Sequence, residues 1–210
     1  MTQQSAACSR RAGALLILTL ITTGCALQRT VPGTAVAWDE RREQLLALDS
    51  WELRGRIGVK TEQGGGQGRL EWDQTGTSTR LQVAGPFGVG AWELRWDERQ
   101  AVLSNRAGDQ SLAYAGPDAL DQMLAEQVGW DFPAERTRFW VLGIAAPGSR
   151  SQLRYGADGW LSGLEQDGWE VAFDRFEQQD GFWMPRKITL TGQASRLRLV
   201  VDRWQASVSL

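Results

Sequence analysis

Histidine is absent from all 210 residues, and cysteine occurs only twice, at Cys8 and Cys25. Without histidine the chain has no catalytic triad built on an imidazole base, and it lacks the commonest metal ligand of proteins. No G-x-S-x-G motif, phosphate-binding P-loop or dinucleotide fingerprint occurs in it. These absences argue against hydrolases, metalloenzymes and nucleotide-dependent enzymes. We therefore expect no enzymatic activity, no metal and no cofactor.

Excess positive charge and long apolar runs are also missing. The chain has 23 Lys and Arg against 25 Asp and Glu, and no polybasic segment. This balance gives no reason to expect nucleic acid as a partner, or capture by anionic lipid through a basic segment. The longest apolar run, Ala12–Ile21, has ten residues. It is too short to span a bilayer and has the length of a signal-peptide core.

The N-terminal segment carries a targeting pattern. Arg10-Arg11 precede the apolar run, and Thr22-Thr23-Gly24-Cys25 follows it. This tetrapeptide resembles the lipobox of bacterial lipoproteins, although Thr22 stands where Leu is usual. The resemblance implies that residues 1–24 are removed and that Cys25 carries the lipid. Ala26, and not Asp, follows Cys25, and by resemblance to enterobacterial sorting rules this favours the outer membrane. An ordinary secretory signal or an uncleaved anchor are the alternatives.

Removal of residues 1–24 takes away two basic residues and no acidic ones. The remaining chain has 21 Lys and Arg against 25 Asp and Glu, so its net charge is −4. Residues 25–34 lack periodicity and contain Pro32-Gly33. They read as a flexible tether between lipid and protein. No domain boundary is visible after residue 34, and residues 35–210 are predicted to form a single domain.

Within this domain the pattern is mostly that of β-strands. Residues 35–48 have helical periodicity, and from Trp51 apolar residues alternate with polar ones through six short runs. Helices are predicted at 116–128 and 133–142, followed by five more strand-like runs up to Trp204. We expect an α+β fold that is mainly β. It would be one unclosed antiparallel barrel of about 10–11 strands, with short helices over its apolar face.

Three short helices are little cover for so large an apolar face. The interior of such a sheet is either a cavity that accepts an apolar ligand or a core plugged by the protein's own side chains. The many tryptophans are large enough to act as the plug. The pattern favours the cavity without deciding between the two.

The connection Gly85-Pro86-Phe87-Gly88-Val89-Gly90 carries no charge and no side-chain hydrogen-bonding group. Surface turns are normally polar, so an apolar one calls for an explanation. Phe87 either folds back onto the core or projects as an apolar finger that enters another apolar phase. Composition alone leaves both interpretations open.

Ordered landmarks along the chain resemble those of the LolB family of outer-membrane lipoprotein receptors. They are Trp51-x-Leu53-x-Gly55-Arg56-Ile57, Gly68-x-Leu70-x-Trp72-x-Gln74-x-Gly76, Gly85-Pro86-Phe87-Gly88, Gly129-Trp130 with Pro133, Phe139-Trp140-Val141-Leu142-Gly143, Gly163-Leu164-x-Gln166-x-Gly168-Trp169-x-Val171, Pro185-Arg186-Lys187-Ile188-x-Leu190 and Leu197-x-Leu199-Val200-Val201-x-x-Trp204.

The resemblance implies a fold shared with LolA, the soluble periplasmic carrier. It implies that the protein faces the periplasm as a lipid-anchored monomer. It would accept lipoproteins from a LolA-type carrier and insert their acyl chains into the outer-membrane bilayer. Pro86, Phe87 and Gly88 would form the membrane-insertion loop, with Phe87 where the family more often has Leu. Candidate acyl-chain contacts are Leu53, Ile57, Leu70, Trp72, Leu81, Val83, Trp92, Leu94, Leu124, Trp140, Val171, Phe173 and Leu199. A structural lipoprotein with a solid core is the competing interpretation.

Overall fold

The computed structural model describes residues 35–85, 90–105, 107–128 and 132–207. Its helical segments are α1 (Ala35–Leu46), α2 (Ala119–Met123), a π-helical turn that continues α2 (Leu124–Val128), and α3 (Ala134–Trp140). Its strands are β1 (Ser50–Thr61), β2 (Gly64–Thr75), β3 (Ser78–Ala84), β4 (Trp92–Trp96), β5 (Gln100–Asn105), β6 (Ser111–Ala115), β7 (Ser151–Tyr155), β8 (Leu161–Gln166), β9 (Trp169–Gln179), β10 (Phe182–Thr191) and β11 (Ser195–Ser207).

All eleven strands belong to one antiparallel sheet with the order β6-β5-β4-β3-β2-β1-β11-β10-β9-β8-β7. Two meanders, β1 to β6 and β7 to β11, are joined side by side where β1 pairs with β11. Within the described ranges β6 and β7 do not pair, so the sheet is open. This confirms the predicted unclosed antiparallel fold.

Strand register follows from the alternation of apolar and polar residues. Leu53 of β1 stands opposite Trp72 of β2 on one side and Trp204 of β11 on the other. All three side chains are buried. A shift of one residue would turn every one of these side chains toward water, so the apolar pattern fixes the pairing.

A β-bulge interrupts the pairing of β1 with β11. Arg54 pairs with Arg203, but the next residue, Gly55, pairs with Val201, which leaves Asp202 as the extra residue. The bulge allows Val201 and Trp204, three residues apart, to face the same side. A strict period of two would have turned Trp204 outward.

Helix α1 precedes β1, and α2 and α3 lie in sequence between the edge strands β6 and β7. All of them bury apolar side chains against the apolar face of the sheet. Leu120, Met123 and Leu124 from α2 and the π turn, and Trp140 from α3, belong to the same buried cluster as the strand residues. Trp38 and Leu45 of α1 join this cluster as well. The core therefore sits between the helices and one face of the sheet.

The helices differ from the sequence predictions at their ends. The segment predicted as one helix over 116–128 begins at Ala119, with Asp118 as its N-cap, and becomes π-helical at Leu124. Helix α1 ends at Leu46, two residues early, and α3 spans 134–140 within the predicted 133–142. Among the described residues no helix has both the length and the hydropathy needed to cross a bilayer.

Candidate functional site

The predicted acyl-chain contacts lie on the apolar face of the sheet and on the helices that cover it. Ten are buried, namely Leu53, Leu70, Trp72, Leu81, Leu94, Leu124, Trp140, Val171, Phe173 and Leu199. Ile57 and Val83 are half-buried and pack against the same cluster, while Trp92 is 37% exposed. Twelve of the thirteen residues thus belong to one contiguous apolar interior.

Aromatic rings fill this interior beside the central strands. The ring centroid of Trp51 lies 5.4 Å from that of Trp72 and 5.5 Å from that of Trp204. Trp72 in turn lies 6.4 Å from Trp96. These are the separations at which aromatic pairs attract each other. The tryptophans therefore pack against one another in the structure, and an apolar guest must displace them or enter beside them.

Apolar side chains become more exposed toward one end of the apolar face, where β3 ends and the connection to β4 begins. Leu70 of β2 is 1% exposed, but its neighbour across the strand, Val83 of β3, is half-buried. Trp92, opposite Val83 at the start of β4, is exposed. The apolar interior is thus continuous with exposed apolar surface at the strand ends that flank residues 86–89. Pro86, Phe87 and Gly88 themselves lie outside the described residues, as does Cys25.

Arg41 of α1 is buried among apolar side chains. Its Nη1 donates to the carbonyl oxygen of Gly143 at 2.9 Å, its Nη2 to that of Leu142, and its Nε to that of Trp183 at 2.8 Å. Burial lowers the pKa of Arg41 to about 9, so the side chain is still a cation at neutral pH.

Aromatic rings surround the same guanidinium, whose central carbon lies 5.0 Å from the ring centroid of Trp38 and 5.3 Å from that of Phe176. Cation–π attraction and three carbonyl acceptors thus offset the loss of hydration.

The carbonyls that Arg41 binds follow the C-terminus of α3. Gly143 adopts a positive φ of 74°. Its amide donates to the carbonyl oxygen of Trp140, and the amide of Ile144 donates to the carbonyl oxygen of Phe139. This is the hydrogen-bond pattern of a Schellman motif. The motif turns the carbonyls of Leu142 and Gly143 toward α1, so that one side chain connects α1, the end of α3 and strand β10.

Gln166, at the end of β8, makes a second connection between α3 and the sheet. Its side-chain oxygen accepts from the indole Nε1 of Trp140 at 2.8 Å and from the amide of Ala146 at 2.9 Å. Its Nε2 donates to the carbonyl of Ala146 at 2.7 Å and to the Ser149 hydroxyl at 2.8 Å. Gln166 is only 2% exposed, so these partners satisfy an amide that water does not reach.

Comparison with known proteins identifies the family. The family model described as "Outer membrane lipoprotein LolB" matches residues 49–204. The chain is 37% identical over 173 residues to the outer-membrane lipoprotein LolB of Pseudomonas aeruginosa strain LESB58, covering 82% of each protein. It belongs to the LolB family.

A second LolB relative, from Stutzerimonas stutzeri strain A1501, is 35% identical over 193 residues, which are 90% of this chain and 92% of the relative. Among solved structures, a DUF1329 family protein from Desulfovibrio piger superposes with a TM-score of 0.50 at 9% identity. It covers 86% of this chain and 95% of its own. At that identity the likeness concerns the fold alone.

Two residues of this LolB-family chain have contacts that the sequence analysis did not assign. Arg41 lies three residues after Trp38 and four before Leu45, so it falls on the buried stripe of α1. This spacing is a usable sequence signal, although an arginine is normally expected on the solvent-facing side of a helix. The sequence marks Gln166 as a landmark of the family, but nothing in its local sequence points to Trp140.

Proposed function

We propose that this chain is a LolB-type receptor of the outer membrane. It accepts lipoproteins from the carrier LolA and inserts their acyl chains into the inner leaflet of the outer membrane. Its family membership supports this proposal, and its sheet has the required apolar interior. The observation that carries the proposal is the continuity of that interior with exposed Trp92 at the strand ends that flank residues 86–89.

In this proposal residues 1–24 are a removed signal, Cys25 bears the acyl anchor, and residues 25–34 are a tether. Residues 35–210 form the single working domain and act as a monomer. The thirteen candidate residues named above contact the acyl chains of the cargo, and no bond chemistry is needed. The anchor keeps the domain beside the membrane into which it delivers.

Acyl chains favour direct transfer over release into water. Each buried CH₂ is worth roughly 0.8 kcal/mol, so a free chain in water would be strongly disfavoured. A route lined with apolar side chains from the interior to the membrane avoids that exposure. The direction of transfer must come from a difference in affinity between donor and acceptor.

Phe87 completes the route in this proposal by entering the bilayer. Phe87→Glu should leave folding and uptake of lipoprotein from LolA intact. It should slow insertion by about tenfold, since an acidic side chain enters a bilayer less readily than Phe. The measurement mixes purified LolA carrying a lipoprotein with the protein in vesicles, and follows transfer to the protein and then to the lipid.

Two control variants separate apolar character from charge. Phe87→Leu keeps an apolar side chain and should insert cargo at the wild-type rate. Thr77→Glu adds the same charge to the exposed connection between β2 and β3, at the opposite end of the sheet, and it should also leave insertion unchanged. Normal insertion by Phe87→Glu would show that the loop is not the inserting element.

The packed tryptophans favour a second candidate, a structural lipoprotein with a solid core. The contacts of Trp51 with Trp72 and Trp204 are what such a core requires. That protein would neither take up lipoprotein from LolA nor bind a fluorescent fatty acid saturably, whereas the receptor should do both.

A further inference from the structure

The outer face of the sheet gathers basic side chains from three strands at one end. They are Arg56 and Lys60 of β1, Arg69 of β2, and Arg196 and Arg198 of β11, hereafter the basic strip. All five are exposed, and all lie on the face opposite the apolar interior, because they alternate with its residues along each strand. Three adjacent strands make the strip about 10 Å wide.

Two cross-strand pairs in the basic strip set like charges against each other. Arg56 stands directly opposite Arg69, and Lys60 directly opposite Arg196. Like charges in such positions destabilise a sheet. An anionic ligand that bridged them would remove the repulsion, so both pairs suit a surface that meets negative charge.

Local carboxylates neutralise little of this charge. Arg56 has the carboxylate of Asp202 at 3.5 Å, but both side chains are more than half exposed, so the pair is weak. Within the described parts of the chain, no carboxylate oxygen comes within 4.0 Å of the charged nitrogens of Lys60, Arg69, Arg196 or Arg198. Nearby Asp174 is engaged by Lys187 of β10. The strip thus keeps a net positive charge although the whole chain is slightly acidic.

The centre of the basic strip is open. A Cβ placed on Gly58 of β1, between Arg56 and Lys60, would meet no atom within 4 Å. A groove of about 660 Å³ lies there, lined among others by Gly58, Lys60, Arg196 and Arg198. There is room for a phosphate group to reach several of the cations at once.

The position of the basic strip suggests its partner. Arg69 pairs with Ala84, the last residue of β3, so the strip lies at the end of the sheet where the chain leaves for residues 86–89. Lys60 and Arg196 lie still further toward that end, beside the hairpin between β1 and β2. In the proposed function, on which this inference rests, the same end faces the membrane.

We propose that the basic strip binds the phosphates of anionic phospholipid headgroups and so orients the domain on the bilayer. The cationic side chains of the strip are separated and flexible, so each can bind a different headgroup on a bilayer surface. Each basic residue near an anionic surface contributes about 1 kcal/mol, so losing three of them should lower the equilibrium constant for surface docking by about a hundredfold.

The test uses the full lipidated protein on vesicles. A donor fluorophore is attached at Gln63→Cys, an exposed position in the hairpin beside the strip, and the acceptor is a headgroup-labelled lipid. Energy transfer should be higher on phosphatidylcholine vesicles that contain a third phosphatidylglycerol than on phosphatidylcholine alone. High salt should abolish the difference, since it screens exposed charges. The triple variant K60Q/R196Q/R198Q should lose it as well.

The matched control is R54Q/R99Q/R203Q. It removes the exposed Arg54 and Arg203 from the other ends of β1 and β11, and the exposed Arg99 from the turn between β4 and β5. It should keep the response to phosphatidylglycerol. Equal energy transfer on both vesicle types, or equal loss in both triple variants, would overturn the inference. Unchanged energy transfer with slower uptake from LolA in K60Q/R196Q/R198Q would assign the strip to the carrier instead of the membrane.

Cargo insertion measured in the same vesicles keeps the two proposals apart. A wild-type protein that inserts lipoprotein but shows no lipid-dependent energy transfer refutes the basic strip alone. A wild-type protein that docks on phosphatidylglycerol but inserts nothing refutes the transfer function and leaves the strip standing.

Discussion

Arg41 is held by interactions that only the folded chain provides. Its three carbonyl acceptors lie more than a hundred residues away along the sequence, in two separate segments. Because water does not reach these groups, removing the guanidinium leaves the acceptors unpaired. An unsatisfied buried polar group costs about 1–3 kcal/mol.

Arg41→Met should therefore lower the free energy of unfolding by about 3 kcal/mol, the sum of about 1 kcal/mol for each acceptor. Arg41→Lys should have a free energy of unfolding between those of the wild type and Arg41→Met, because one ammonium group cannot reproduce the planar fork of the guanidinium. Urea denaturation followed by tryptophan fluorescence measures both. Arg42→Met is the matched control: Arg42 pairs with exposed Glu43 and, among the described residues, with no other carboxylate, so the change should stay within about 0.5 kcal/mol. A loss in Arg41→Met no larger than in the control would contradict this account.

At the scale of residues, the alternation of apolar and polar residues along the strands predicted which side chains lie on the apolar face. Leu53, Leu70 and Trp72 were placed on the apolar face because a period of two leaves little choice of side. Arg41 was not assigned, since its acceptors come from distant segments. Contacts of that kind depend on tertiary packing, which local pattern does not encode.

Helix α3 is tied to the sheet by the buried side chain of Trp140 and by polar contacts at its C-terminal end. The side chain of Gln166 holds both the indole of Trp140 and the backbone of Ala146. In the proposed function, the cover over the interior moves when an acyl chain enters. A short covering helix opens at a smaller free-energy cost than the central strands, which are hydrogen-bonded to neighbours on both sides.

Gln166→Leu should loosen this element selectively. Loss of its hydrogen bonds should lower the local opening free energy by about 2 kcal/mol, so amide exchange in residues 134–149 should become about thirtyfold faster. Strands β1 and β2 should exchange as in wild type. Gln152→Leu, at an exposed position of β7, is the control and should change neither region. Uniformly faster exchange throughout the sheet would mean that Gln166 stabilises the whole fold instead of the cover.

At the scale of elements, strand number and most boundaries could be predicted, because each strand is bounded by turn residues. The π-helical turn at Leu124–Val128 could not. The apolar residues Leu120 and Met123 of α2 and Leu124 of the π turn have a spacing that suits a continuous α-helix equally well. The bulge at Asp202 was missed for a similar reason, since it is defined only by the partner strand.

The pairing of β1 with β11 gives the molecule features that no segment of the sequence contains. It brings Lys60 beside Arg196 and Arg56 close to Arg198, so a basic surface arises on a chain without a polybasic segment. The same pairing joins two meanders into one apolar face. Net charge and local motifs therefore predicted the class of protein and not the distribution of charge over its surface.

The interior and its cover together predict how an apolar ligand binds. The buried tryptophans are packed against one another, so a ligand that displaces them binds a state that differs from the one described. If opening precedes binding, the observed rate of binding rises with ligand concentration and then reaches a plateau set by the rate of opening. Stopped-flow mixing of a fluorescent fatty acid with the chain carrying Cys25→Ala measures this dependence.

The same measurement on the Gln166 variant links the cover to the interior. Gln166→Leu should raise the plateau, because the cover detaches more readily, whereas Gln152→Leu should leave it unchanged. A rate that stays proportional to fatty-acid concentration would show that the interior is already open, and the tryptophan contacts would then not limit access. No saturable binding by any of the three proteins would favour the solid-core lipoprotein. A plateau that responds to Gln166 alone would identify detachment of α3 as the step that admits the acyl chain.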